Sequence, residues 1–342
     1  MKYSFLNDYA EGAHPTILQK LSTTNRIQQV GYGQDFYSLE AANLIKEKLE
    51  NPAAKIFFIS GGTQANLLII SSLLLPHEAV ISAESGHIAE HEAGAIEATG
   101  HKVLTAPTKD GKLQPEQLRP VLEQYSMRPH VVKPRLVYIS NASELGTIYT
   151  KNELRQLYRF CQENNLLLFM DGARLGVALT ASTNDLTFPD LAHYTDVFYI
   201  GGTKNGALLG EAVVFNKPEL CKYFDYQVKQ KGALLAKGRL LGIQFLTLFQ
   251  TDLFFELAQH ANDLAQKIAR ELENLGFPFL LNSPTNQIFP ILSKTQIEKL
   301  HQQYSFLEWK QVDAQNTAIR LVTSWATQQS DIDRFIEAVK NL

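Results

Sequence analysis

Three short stretches carry side chains that could do chemistry together, and each follows an apolar run. Gly201-Gly202-Thr203-Lys204-Asn205-Gly206 sets a lysine in a glycine-rich turn, where partial desolvation lowers an amine's pKa and frees its nucleophilic form. Asp171-Gly172-Ala173-Arg174 puts a carboxylate directly after the apolar residues 166–170, at the kind of strand exit where open α/β sheets bind ligands. Gly61-Gly62-Thr63-Gln64-Ala65-Asn66 leads from a third run into an apolar helix; glycines, a hydroxyl and the free amides of a helix N-terminus suit a phosphate. Singly, each has a plain alternative: an exposed loop lysine, an aspartate capping the next helix with Arg174 as partner, a glycine turn capped by Thr63. Together, an amine, a carboxylate and a phosphate cradle at three strand exits are the parts of a pyridoxal 5'-phosphate site. There the amine forms a Schiff base and the carboxylate keeps the ring nitrogen protonated. The glycine stretch lacks the Gly-x-Gly-x-x-Gly spacing and the Walker lysine, which argues against dinucleotides and ATP.

Such loops need a scaffold to hold them. From residue 55, apolar runs at 55–59, 79–82, 102–105, 135–140, 166–170, 195–200 and 209–215 alternate with helix-like segments, the pattern of parallel strands joined by crossover helices. Most of the runs are continuously apolar, as strands covered on both faces are. Helices are expected at 65–75, 88–99 and 151–163, the last with Leu154, Leu157 and Phe160 at helical spacing. Beyond 250 the rhythm changes: 253–275 reads as one long amphipathic helix, followed by a smaller α/β unit with a strand at 318–323. The fold class is α/β, with a large unit over 1–250, a small one over 251–342, and an N-terminal segment able to pack on the latter.

A chain of 342 residues exceeds one ordinary core, and 45% hydrophobic with 20% charged residues is the composition of a compact soluble protein. A net charge of −3 without a basic block disfavours nucleic acid as partner. Cys161 and Cys221 form neither a disulfide framework nor a thiolate metal site, which fits a reducing, cytoplasmic setting. The longest apolar stretch, 67–75, is too short to span a membrane, and no signal peptide is expected.

The order Gly61-Gly62-Thr63, Gly86-His87-Ile88, Asp171-Gly172-Ala173-Arg174, Thr203-Lys204 and Ile319-Arg320-Leu321-Val322-Thr323 resembles the low-specificity threonine aldolases, pyridoxal-phosphate enzymes of the aspartate-aminotransferase fold. The related phenylserine aldolases are similar through Thr203-Lys204-Asn205-Gly206 and residues 322–327. The resemblance implies a three-layer α/β/α large domain with a smaller C-terminal domain, and retro-aldol cleavage of threonine or allo-threonine to glycine and acetaldehyde. It implies Lys204 as the Schiff-base lysine, Asp171 at the ring nitrogen, Gly61, Gly62 and Thr63 at the phosphate, and His87 stacked on the ring. Arg320 and Arg174 are implied near the substrate carboxylate, with Arg174 alternatively supporting Asp171. His130 is implied near the substrate hydroxyl, so that His87, His130 or a water is the base. The segment Tyr32-Gly33-Gln34-Asp35 resembles a stretch lent to a neighbouring subunit's site, and Lys231 and Arg239 resemble basic residues reaching the phosphate across that interface, which implies a homo-oligomer, dimer or tetramer. The chain departs from the family at Asn7, where a serine near the substrate carboxylate is usual, at Ala142-Ser143-Glu144-Leu145, which replaces an Asn-Thr-His run, and at Thr203. These departures leave the choice among threonine, allo-threonine and phenylserine open.

A different class is represented by His87-Ile88-Ala89-Glu90-His91, which fits the His-x-x-Glu-His pattern of zinc peptidases if both histidines share one helical face. No third ligand is identifiable, and no metal is expected. A scaffold kept only for binding is a further alternative, against which Lys204, Asp171 and Arg320 stand together.

Overall fold

The computed structural model describes residues 2–342. Its centre is a seven-stranded sheet of β1 (Lys55–Ile59), β2 (Glu78–Ala83), β3 (Val103–Ala106), β4 (Lys133–Ser140), β5 (Leu167–Asp171), β6 (Val197–Gly201) and β7 (Glu211–Phe215), in the spatial order β1-β7-β6-β5-β4-β2-β3. From β6 to β3 the neighbours run parallel, with Ser140 opposite Asp171. β7 is antiparallel to both its neighbours, which corrects the all-parallel expectation. The loop over 202–210 is too short to hold a crossover helix, so the chain folds straight back.

Every residue of β2, β5, β6 and β7 is buried, which is why these runs lack alternation. Leu168 and Met170 face one core with helices Phe36–Lys48, Lys151–Glu163 and Arg239–Gln250, while Leu167 and Phe169 face another with helix Gly62–Leu73. Helices on both faces make three layers.

The second sheet comprises β8 (Gln287–Ile288), β9 (Ile291–Ser293), β10 (Leu307–Gln311) and β11 (Asn316–Val322), with β11 pairing antiparallel to the other three. Ile319 and Leu321 of β11 pack with Leu264, Ile268 and Leu272 and with Ile332 and Phe335. The helix Leu253–Asn274 begins in the large core through Leu257 and ends in this one, so it bridges the two sheets. It meets Arg239–Gln250 at a bend of 76°, and no single helix is long and apolar enough to cross a membrane. The first residues pack on the small unit: Tyr3 and Ser4 pair with Tyr304 and Ser305 in a separate two-stranded sheet, the Val322 N–H of β11 donates to the Phe5 carbonyl at 3.0 Å, and Phe5 is buried in the same cluster.

The helix expected over 88–99 is broken. It makes one turn, His87–Glu90, after which Ala93 (φ 51°) and Gly94 (φ 75°) turn left-handed, and only a 3-10 turn at Glu97–Thr99 follows. Left-handed backbone cannot continue a helix, and the break turns Glu92 inward, where it is buried.

Candidate active site

Asp171 ends β5, and Lys204 lies just beyond the end of β6. Between them the backbones touch: the Gly201 N–H donates to the Gly172 carbonyl at 2.9 Å. A Cβ on Gly172 would fall 1.8 Å from the Tyr199 oxygen, and one on Gly201 would fall 2.4 Å from that of Ala173. Glycine at both positions therefore sets the aspartate and lysine loops side by side.

Asp171 is buried and held through both oxygens. Its Oδ2 accepts from the Tyr138 hydroxyl at 2.6 Å and from Asn66 Nδ2 at 3.2 Å, and its Oδ1 accepts from the Ala173 N–H at 2.9 Å. Lys204 is half-buried; burial and the nearby Arg174 lower its pKa against the pull of Asp8, Asp171 and Glu211. Behind the lysine loop, buried Glu211 accepts from the Thr203 hydroxyl at 2.8 Å and the Gly202 N–H at 3.2 Å. Burial raises its pKa to about 8.

The helix Gly62–Leu73 opens directly at the exit of β1, with Gly61 extended at its N-cap and no capping side chain on its first amides. Thr63 is exposed in that first turn. His87 opens the short helix after β2. Its Nδ1 lies 2.8 Å from Glu92 Oε1, and its backbone N–H donates to Glu144 Oε1 at 3.0 Å. Burial lowers the imidazole's pKa, but the Glu92 hydrogen bond and the charges of Asp171 and Glu92 outweigh that and raise it. Glu144 is itself buried and also accepts from Ser140 at 2.7 Å; burial raises its pKa.

Two arginines complete the cluster. Arg174 is held by Asp8, with Nε 2.8 Å from Oδ2 and Nη2 3.0 Å from Oδ1. Asn286 Nδ2 also donates to Asp8 at 3.0 Å. Arg320 of β11 makes one long bond, from Nη2 to the Leu6 carbonyl at 3.3 Å, and its buried Nε has no partner. The guanidinium lies 5.0 Å over the Trp309 ring, and burial lowers its pKa to about 10.

Not every expected residue joins this cluster. His130 is exposed on the loop before β4, where the strand begins at Lys133, whereas Asp171 is level with Ser140 at the other end of β4. Its expected place near the substrate hydroxyl in the same chain is therefore corrected: a whole strand length separates it from the site. Asn7 is half-buried and accepts from the Tyr9 N–H at 3.1 Å, while its neighbour Asp8 reaches Arg174. Tyr32 is exposed with φ 60°, its ring 5.0 Å from Lys229 Nζ, and the adjoining Asp35 is buried as a helix cap on Ser38. Arg239 donates to the carbonyls of Ile27 and Thr24 of its own chain, and Lys231 is half-buried after helix Phe224–Gln230. The peptidase geometry is absent: His91 leaves the helix at φ −125° and Glu90 is exposed. Among the described residues no cluster of three or more His, Cys, Asp or Glu could hold a metal.

Asp8, Asn66, Glu92, Glu144 and Glu211 belong to the cluster without a role expected for them from sequence. Glu144 lies in the stretch that departs from the family's Asn-Thr-His run, and Asn66 leaves a signal of its own: it follows Gly62 by one helical turn, a polar residue on a helix that is otherwise apolar where it is buried. The residues that do converge fit pyridoxal phosphate: helix amides free of a capping side chain for the phosphate, a fixed carboxylate for the ring nitrogen, and an amine of lowered pKa for the aldehyde.

The family described as beta-eliminating lyase matches residues 13–295. A low-specificity L-threonine aldolase of Pseudomonas aeruginosa is 32% identical, covering 99% of this chain and 96% of its own. One from a Pseudomonas species is also 32% identical, covering 96% and 94%. The solved threonine aldolase of Leishmania major superposes with a TM-score of 0.97 at 47% identity, over 99% of both chains. A serine palmitoyltransferase of Sphingomonas wittichii shares the fold alone, with a TM-score of 0.74 at 12% identity over 99% of this chain and 86% of that one.

Proposed function

This chain belongs to the beta-eliminating lyase family, and we propose that it is a pyridoxal-phosphate-dependent threonine aldolase, splitting L-threonine or L-allo-threonine into glycine and acetaldehyde. The observation that carries the reading is the contact of the Asp171 and Lys204 loops, with an under-partnered Arg320 close to the same cluster. The threonine aldolases of Pseudomonas and Leishmania support it.

Bound pyridoxal phosphate supplies the electron sink for charge that develops at the substrate Cα. The chain does the rest. Lys204 would hold the cofactor aldehyde through its amine, and Asp171, fixed by Tyr138 and the Ala173 N–H, would keep the ring nitrogen protonated. Gly61, Gly62 and Thr63 would hold the phosphate. Arg320 would take the substrate carboxylate in its planar fork, with Arg174 beside it, and so fix which bond at Cα is set to break. His87 would take the β-hydroxyl proton as the Cα–Cβ bond gives way and acetaldehyde forms, and would return that proton to Cα, so that the products are glycine and acetaldehyde with nothing left over. A near-neutral imidazole suits that transfer.

Phenylserine is the second reading of the substrate, supported by the similarity of Thr203-Lys204-Asn205-Gly206 and residues 322–327 to the phenylserine aldolases. The exposed stretch containing Tyr32 supports a homo-oligomer, dimer or tetramer, in which Tyr32, Lys231 and Arg239 adjoin a neighbour's site, and the cysteine usage supports a cytoplasmic setting.

Purified holoprotein assayed for aldehyde and glycine against threonine, allo-threonine and phenylserine ranks these substrates. Lys204→Ala is expected to remove both the cofactor's visible band and turnover, and Asp171→Ala to bind cofactor weakly. Normal turnover by Lys204→Ala overturns the assignment.

A further inference from the structure

Beneath His87 lies a chain of buried polar groups that the reaction as described does not use. The Glu92 carboxylate is wholly buried, 0% exposed. Its Oε1 receives both His87 Nδ1 at 2.8 Å and Asn66 Nδ2 at 2.7 Å. The same Asn66 nitrogen reaches Asp171 Oδ2 at 3.2 Å. One amide thus joins the carboxylate assigned to the cofactor ring to the carboxylate that holds the histidine. The orientation of that amide is fixed by chemistry, because both neighbours are acceptors and a carbonyl oxygen turned toward them would meet two anions.

We infer that Glu92 and Asn66 are positioning residues: Glu92 locks His87 with Nδ1 as its donor and Nε2 left free for the substrate, and Asn66 ties that pair to Asp171. This rests on the threonine aldolase reading only for the identity of the substrate proton.

Two features mark the arrangement as built. Ala93 and Gly94 both take left-handed backbone directly after Glu92, a conformation costing an alanine about 1–2 kcal/mol, so the chain accepts strain where it leaves the helix and buries this carboxylate. Asn66 follows Gly62 by one turn, so the helix whose first amides lack a capping side chain also carries the bridge on the same side. Asn66 Oδ1 and Glu92 Oε2 are buried without partners, so the pair is held in place by its anion-facing contacts alone.

The groups that act on the ring are Glu92 and Asp171, which favour its proton, and Lys204 and burial, which oppose it. His91, whose ring centroid is 5.8 Å away, and Glu144, bonded to the His87 backbone, complete its surroundings. With Glu92 charged, the histidine titrates above its ordinary value; without that charge, burial pulls it below.

The test is a histidine-labelled nitrogen NMR titration, on cofactor-free and cofactor-loaded protein, of wild type, Glu92→Gln, Asn66→Ala and Glu90→Ala. In wild type, His87 is expected as the Nδ1–H tautomer with a pKa above about 6.5. Glu92→Gln should move it below that value and lower kcat by about 100-fold while KM and the visible band hold. Asn66→Ala should shift the cofactor band and the His87 titration together, and exposed Glu90→Ala neither. An unchanged His87 titration in both Glu92→Gln and Asn66→Ala, in variants that still bind cofactor, overturns the inference. The NMR readout does not depend on which amino acid is cleaved, so failure of wild type to split threonine sinks the functional reading and leaves this one standing.

Discussion

Arg174 spends Nε and Nη2 on the two oxygens of Asp8, whereas Arg320 keeps a buried Nε without a partner and only one long bond to a carbonyl. The two guanidinium groups therefore differ in what they can still do, and the free fork belongs to Arg320. Arg320→Ala is expected to raise KM for threonine at least tenfold, about 1.4 kcal/mol, with the cofactor band intact; Arg320→Lys recovers little, because an ammonium lacks the planar fork. An equal effect from both arginines in steady-state kinetics would reject this division. Asp8→Asn uncouples a buried ion pair and should cost about 3–5 kcal/mol in denaturant unfolding at neutral pH. Burial resists ionisation of Asp8, but Arg174 and Lys204 prevail and lower its pKa. Its stabilisation is thus fully present above about pH 4, the unfolded value, and fades as the pH falls through the native one. The difference between wild type and Asp8→Asn should shrink in acid.

At the scale of elements, the strand exits of β5 and β6 carry the design, because a single methyl at either glycine would meet backbone. Gly201→Ala is expected to part the Asp171 and Lys204 loops and abolish the cofactor band while far-ultraviolet circular dichroism still reports a folded protein; a normal band would refute the role of that contact. These exits are legible in the sequence because a buried strand and its glycine-flanked polar residue leave a local signature. β1 is legible to its end residues, and the helix Lys151–Glu163 likewise. The break in the helix after β2 and the burial of Glu92 are not, because Glu92 serves as buried acceptor for His87 and for Asn66 on another helix, contacts that are silent in local periodicity. His130 misled for the opposite reason: its neighbours look loop-like, but the loop lies at the wrong end of β4. The long-range pairing of Asp8 with Arg174 leaves no local trace at all.

At the scale of the molecule, Ile27, Val30, Tyr32, Phe36 and Leu39 are all substantially exposed within one short stretch, an apolar surface of the kind that marks association. Sedimentation is expected to give two or four chain masses at micromolar concentration, and Val30→Glu with Phe36→Glu to shift the equilibrium toward one; a wild-type monomer at all concentrations would contradict the oligomer. The N-terminal segment works on another part of the molecule. It is stitched to Tyr304 at Tyr3, to β11 at Phe5, to Arg174 through Asp8, and to the lysine loop where the His14 N–H donates to the Gly206 carbonyl at 2.8 Å. Leu6, one residue beyond Phe5, accepts from Arg320. The Arg320 fork, Arg174 and the turn that carries Lys204 are therefore all fastened to one thread of backbone, so a substitution that loosens this thread is expected to weaken grip on the substrate and attachment of the cofactor together.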